Sequence, residues 1–149
     1  MTAGALTAAL STAMTLPATP ASARTIEDCD NGPGAPDWFY PHLKDAADNP
    51  NDAVPTSWGT AVAMAKIVCY ESDFDQNALN DDGEVWYYGL GQMGRAAISA
   101  ANVSFGCYWN GGCAKDRRYH QLLAALRYAK ERYETPQAAW DFIKQNGWW

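Results

Sequence analysis

The stretch WGTAVAMAKIVCYE, residues 58–71, constrains the fold more than any other part of the chain. From Ala61 to Cys69 every residue except Lys66 is apolar, so a helix there is hydrophobic on nearly every side and has to be enclosed by the rest of the protein. Ser57 stands where an N-cap is expected. Continued to its end, the helix carries Glu71, with Met64, Ile67 and Val68 three, four or seven residues before it and on the same side of the cylinder. A carboxylate that begins on an apolar face at a helix C-terminus loses hydration and meets the negative end of the helix dipole, and both effects favour the neutral acid. That is the preparation of a general acid near neutral pH. The plain alternative is a terminal Glu that turns out to water.

The chain has 149 residues, which fits one domain with a real core. A formal net charge of -6 with no basic cluster argues against nucleic acid as a partner, because a backbone binder needs a dense Lys/Arg surface. Residues 1–23 hold no charged side chain and close on Ala21-Ser22-Ala23 before Arg24, the pattern of an export signal that leaves a mature form starting at Arg24. No basic residue precedes the apolar part, so either the translation start lies upstream or the signal is a weak one. Pro17 and Pro20 argue against a membrane-spanning helix.

Four cysteines suit an exported chain and allow three pairings. The turn-forming YWNGG between Cys107 and Cys113 favours a local bridge, which leaves Cys29 with Cys69. No CxxC occurs, and His42 and His120 lack ligand spacing to the cysteines, so no metal site is expected.

Residues 24–56 contain Pro33, Pro36, Pro41, Pro50 and Pro55 and read as an irregular arm. Residues 72–91, with Asn, Asp and Gly clusters around EVWYYGL, read as a loop or small hairpin, and 92–101 as a short helix. From Asp116 to Tyr133, residues Tyr119, Leu122, Leu123, Leu126, Ala129 and Tyr133 recur at helical spacing and form a core stripe, with Tyr128 off it. Thr135-Pro136 opens a last helix that ends before Gly147.

Glu71-Ser72, Phe74, Ala78, Asn80 and Gly89-Leu90-Gly91-Gln92-Met93, in this order and at these distances, resemble the catalytic segment of the lytic transglycosylase and goose-type lysozyme family. The later YAKERYETPQAAWDFIKQNGWW is similar to the C-terminal helices of small secreted actinobacterial members, and the resemblance covers about residues 57–149. Cys69, just before the acid, is similar to the cysteine of resuscitation-promoting factors. Three departures stand out: an acidic loop between Asn80 and Tyr88, Glu134 where a Gly is usual after Arg-Tyr, and the CYWNGGC loop, which is not part of the general motif.

The resemblance implies a mainly α (α+β lysozyme-like) domain over 57–149, monomeric, without a cofactor, secreted or held in the cell wall, that acts on peptidoglycan glycan strands. Glu71 would be acid and then base at the bond between N-acetylmuramic acid and N-acetylglucosamine, leaving 1,6-anhydro ends. Ser72, Asn80, Tyr88, Gln92, Met93 and Tyr128 would bind or orient the substrate, with Tyr87, Tyr108 and Trp109 as further aromatic platforms. The alternatives are a hydrolytic muramidase, for which Asp73, Asp75, Asp81, Asp82 and Glu84 supply nearby second carboxylates, and a wall-binding protein without catalysis. From Asp73 the acidic positions also match an EF-hand loop, broken by Ala78 where Gly is required.

Overall fold

The computed structural model describes residues 24–52 and 54–149; the expected leader and its cleavage site lie outside them. The architecture is mainly α with one small sheet, as expected. The central helix is α3 here, after α1 (Ile26–Asn31) and α2 (Phe39–Ala47); it runs from Val62 to Ser72 and buries every residue except Val62 and Lys66. Lys66 escapes by sending its ammonium to Asp30 on α1, 2.6 Å away. The expected cap is not used: Ser57 lies in a 3₁₀ turn, Thr56–Thr60, and the helix starts only after Ala61. The turn is tight because Gly59 lies against the backbone of Lys44, where an added Cβ would come within 2.7 Å of the Lys44 Cα.

The stretch expected as an irregular arm is in fact part of the core. Thr25 and Asp28 form a reciprocal capping box that starts α1. In α2 the proline that suggested irregularity, Pro41, lies in the first turn, where the missing N–H has no intrahelical partner to lose. Phe39 and Leu43 of α2 are fully buried, each contributing about 1.5–3 kcal/mol by removal from water. The Cys29–Cys69 bridge, as expected, ties α1 to the central helix.

Helix α5 (Arg117–Tyr133) follows the stripe read from the sequence: Tyr119, Leu122, Leu123, Leu126 and Ala129 are buried, and Asp116 caps it by accepting from the Tyr119 N–H. Helix α6 (Pro136–Asn146) is capped by Thr135, ends at Gly147 and packs its buried Ala139, Trp140 and Ile143 against α3. Between them Glu134 has φ 70°, a conformation that favours glycine.

Strands β1 (Leu79–Asp81), β2 (Trp86–Tyr88) and β3 (Met93–Gly94) form an antiparallel sheet in that order, with Asn80 opposite Tyr87 and Tyr88 opposite Met93. The expected helix over 92–101 is shorter: α4 spans Arg95–Ala100, because Gln92 (φ 44°) closes a turn onto the Gly89 carbonyl and Met93 enters the sheet. A π turn, Gly106–Asn110, precedes α5 and overlaps the loop closed by Cys107–Cys113.

Candidate active site

Glu71 is one residue from the end of α3, with Met64, Ile67 and Val68 fully buried on the turns before it. Only 6% of its surface is exposed. Its Oε1 has no hydrogen-bond partner among the described residues. Burial in these surroundings pushes the carboxyl pKa up to about 8, so the folded protein holds the acid protonated at neutral pH. The chain then turns sharply: Asp73 (φ 50°) and Phe74 (φ 62°) are both left-handed, and Asp73 is pinned by Arg24 at 2.8 Å. Two consecutive non-glycine residues of this kind store strain of order 1–3 kcal/mol each, a pattern common next to functional groups.

Ser72, expected to bind or orient the substrate, is fully buried and bonds to backbone. Its hydroxyl proton is shared between Val68 O at 3.1 Å and Leu90 O at 2.9 Å, which ties the end of α3 to the segment Gly89–Met93. That segment is held from its other side by Gln121, also fully buried. Gln121 Oε1 accepts from Leu90 N–H at 3.0 Å, and its Nε2 donates to Gln76 O and Tyr108 O, both at 3.1 Å. Gly89 (φ 68°) makes this contact possible, since a Cβ there would stand 2.5 Å from the Gln121 amide carbon. The Gln92 amide donates to Gly89 O at 3.0 Å, and Met93 is buried against Tyr88 in the sheet register.

The aromatic residues divide into two groups. Tyr88 is half-buried, edge-on to Phe105 and Trp109 with ring centres 5.0 and 5.1 Å away, while Asn80 is half-buried in β1. Tyr108, expected as a platform, is instead fully buried and donates its hydroxyl to Tyr88 O at 2.7 Å, so it supports the Tyr88 backbone from beneath. At the other end Tyr128, half-buried as an off-stripe residue, is edge-on to Trp149 at 5.1 Å and accepts a hydrogen bond from Arg132. Trp149 in turn donates its indole N–H to Gly91 O at 3.0 Å. The later half of α5 and the end of the chain therefore meet the segment that Ser72 holds against α3.

Two contributors were not singled out from the sequence. Trp149 gave no periodic signal. Tyr133 was assigned to the core stripe, but its hydroxyl is buried without a partner among the described residues. Its pKa is pushed up to about 12, chiefly by burial, with negative charge on Tyr128 and Glu71 adding to the rise and Arg132 opposing it. Glu71 and Tyr133 thus share one electrostatic neighbourhood and each has an unsatisfied polar atom. A tyrosine on an apolar stripe always raises the question of its hydroxyl's partner; that question was the available signal.

Three of the acids that follow Glu71 serve their own loops. Asp75 accepts from Asn77 N–H, Asp81 from Gly83 N–H, and Asp82 from the N–H groups of Glu84 and Val85 and from the Tyr87 hydroxyl. The EF-hand spacing is thereby divided between a strained turn, strand β1 and a hairpin turn. No protein-family model, curated protein or solved structure matches this chain.

Proposed function

We propose that the protein cleaves peptidoglycan as a lytic transglycosylase, with Glu71 as its one essential carboxyl group. The observation that carries the reading is the state of that group: buried, protonated at neutral pH and with an oxygen that no described residue occupies. Glu71 gives its proton to the glycosidic oxygen between N-acetylmuramic acid and N-acetylglucosamine as the bond to C1 breaks. The carboxylate that results takes the proton of the muramic 6-hydroxyl, whose oxygen bonds to C1 and closes the 1,6-anhydro ring. No water enters and the acid is regenerated.

The surroundings suit this chemistry. Gly89–Met93 gives a floor with little side-chain bulk at its glycines, Tyr88 and Tyr128 supply half-exposed rings at either end, and Tyr133 carries a spare hydroxyl in reach of the field of Glu71. The engagement of Asp75, Asp81 and Asp82 with their own loops supports a one-carboxylate mechanism over a paired one. Two disulfides and the absence, among the described residues, of a helix able to cross a membrane fit action outside the cell.

The test is the chemical form of the sugar end after digestion of peptidoglycan. Wild type should release 1,6-anhydro muropeptides, about 18 Da lighter than hydrolysis products because no water is added, a covalent difference that mass spectrometry reads directly. Reducing ends, together with an Asp75→Asn or Asp82→Asn variant as inactive as Glu71→Gln, would replace the mechanism with a paired-carboxylate hydrolase. Binding to wall material without any release would leave a non-catalytic wall protein.

A further inference from the structure

Away from Glu71 the fold brings together three residues that sequence spacing had kept apart. Cys107, Cys113 and His120 place their ligand atoms within 4.8 Å of one another. His120 follows Cys113 by one loop and the first turn of α5, so the helix N-terminus and the disulfide loop close on each other. The His120 ring is half-buried and edge-on to Tyr119, with ring centres 5.1 Å apart. Its Nε2 is buried and has no partner among the described residues.

Access differs between the two bridges. Cys29 and Cys69 are both fully buried, whereas Cys113 is exposed and Cys107 half-buried. Cys113 also lines an open cleft of about 590 Å³ with Asn110, Gly111, Gly112 and Arg117. A small thiol or phosphine can therefore reach one bridge and not the other, since exchange requires in-line approach to a sulfur.

We propose that Cys107, Cys113 and His120 form a site for a soft divalent cation of the zinc class, masked while the bridge is closed. Two equivalents of a small thiol reduce the bridge and leave as their own disulfide. The freed thiols bind the metal as thiolates, releasing two protons to solvent. His120 Nε2, buried and without a partner among the described residues, supplies the third ligand. Two sulfurs and one nitrogen suit zinc or cobalt(II), with a fourth position left for water. The proposal stands independently of the glycosidase reading.

Cobalt(II) is the probe, because a thiolate-bound ion in a four-coordinate site absorbs through charge transfer and d–d bands. The full chain is treated with a phosphine under native conditions, and alkylation mapping records which cysteines open. Cys107 and Cys113 should be labelled while Cys29 and Cys69 are not. The reduced protein should take up one cobalt ion with a thiolate band, displaced by zinc, while the oxidised protein shows none. His120→Ala, which keeps all four cysteines, should retain the band and lose at least ~10-fold in affinity, the scale on which even supporting groups act. Cys107→Ser/Cys113→Ser should show no band in either state. Reduced wild type with both thiols open but no band, uptake by the oxidised form, or a His120→Ala variant that binds as tightly as wild type would each overturn the site.

Discussion

Glu71 and Asp82 carry the same chemical group on neighbouring parts of the chain, and the fold treats them in opposite ways. Asp82 is exposed and accepts hydrogen bonds from Val85 N–H at 2.7 Å, Glu84 N–H at 3.0 Å and the Tyr87 hydroxyl at 3.1 Å, which hold its pKa below the ordinary carboxylate value. Glu71 is buried, with an oxygen that finds no partner, and its pKa stands at about 8. Donors stabilise the anion, and dry surroundings stabilise the acid. The lesson is that an acid-rich stretch is a poor guide to a reactive acid. The hairpin uses its carboxylates to shape a turn, while the reactive one is set apart by having nothing to bond.

The contrast is tested most severely by a matched pair of amides. Glu71→Gln should lower the rate of peptidoglycan cleavage by ~10² to 10⁴, the range of general acid catalysis, with folding retained. Asp82→Asn should keep substantial activity in the same assay. An inactive Asp82→Asn that is still folded would break the comparison.

The pH dependence sharpens it, because the two shifts have opposite signs. Glu71 is raised from 4.5 to about 8 on folding. Its contribution to stability is therefore fully present below pH 4.5 and is lost as pH rises towards 8. Denaturant titrations from pH 4 to 9 should show wild type weakening across that interval, and Glu71→Gln should flatten the slope. Asp82, held below 3.8, acts in the opposite sense: its contribution is present above that value and is lost as pH falls. Cleavage activity should decline as pH passes 8, when the folded protein gives up the proton it needs.

A smaller effect is expected at the residue between the two regions. Ser72→Ala removes a buried hydroxyl and strands the Leu90 carbonyl, a loss of about 1–3 kcal/mol in folding stability by chemical denaturation. If stability is unchanged, the floor does not depend on that tie. The smallest change concerns an acid that serves neither chemistry nor turn bonding. Glu134 has φ 70°, and Glu134→Gly should raise stability by about 1 kcal/mol, seen as a higher midpoint in thermal unfolding.

The parts of this arrangement that were legible in the sequence are those fixed by local periodicity or local chemistry. The stripe of α5, the Thr135-Pro136 start of α6 and the apolar run before Glu71 all follow from side-chain spacing, and the six-residue separation of Cys107 and Cys113 invited a local bridge. What was missed depends on partners distant along the chain. Phe39 and Leu43 become core only because α2 finds α5 and the Thr56–Thr60 turn, which proline frequency does not reveal. Tyr108 turned inward because the bridged loop places it under β2, and Ser57 lost its helix because Gly59 was needed against Lys44. His120 joined the cysteines through a helix start folding back on a loop, a proximity that linear spacing does not measure.

Gly89 and Gln121 carry a consequence for how this protein can vary. A side chain at position 89 collides with the amide at position 121, and loss of that amide leaves the Leu90 N–H and the Tyr108 and Gln76 carbonyls without their partner. Neither position can change without a penalty that a change at the other fails to remove, so the pair behaves as a single heritable unit. In a library randomised at both positions and selected for folding, survivors should keep Gly89 together with Gln121, because a smaller residue at 121 removes the collision but neither the strain of a side chain at φ 68° nor the loss of the amide's hydrogen bonds.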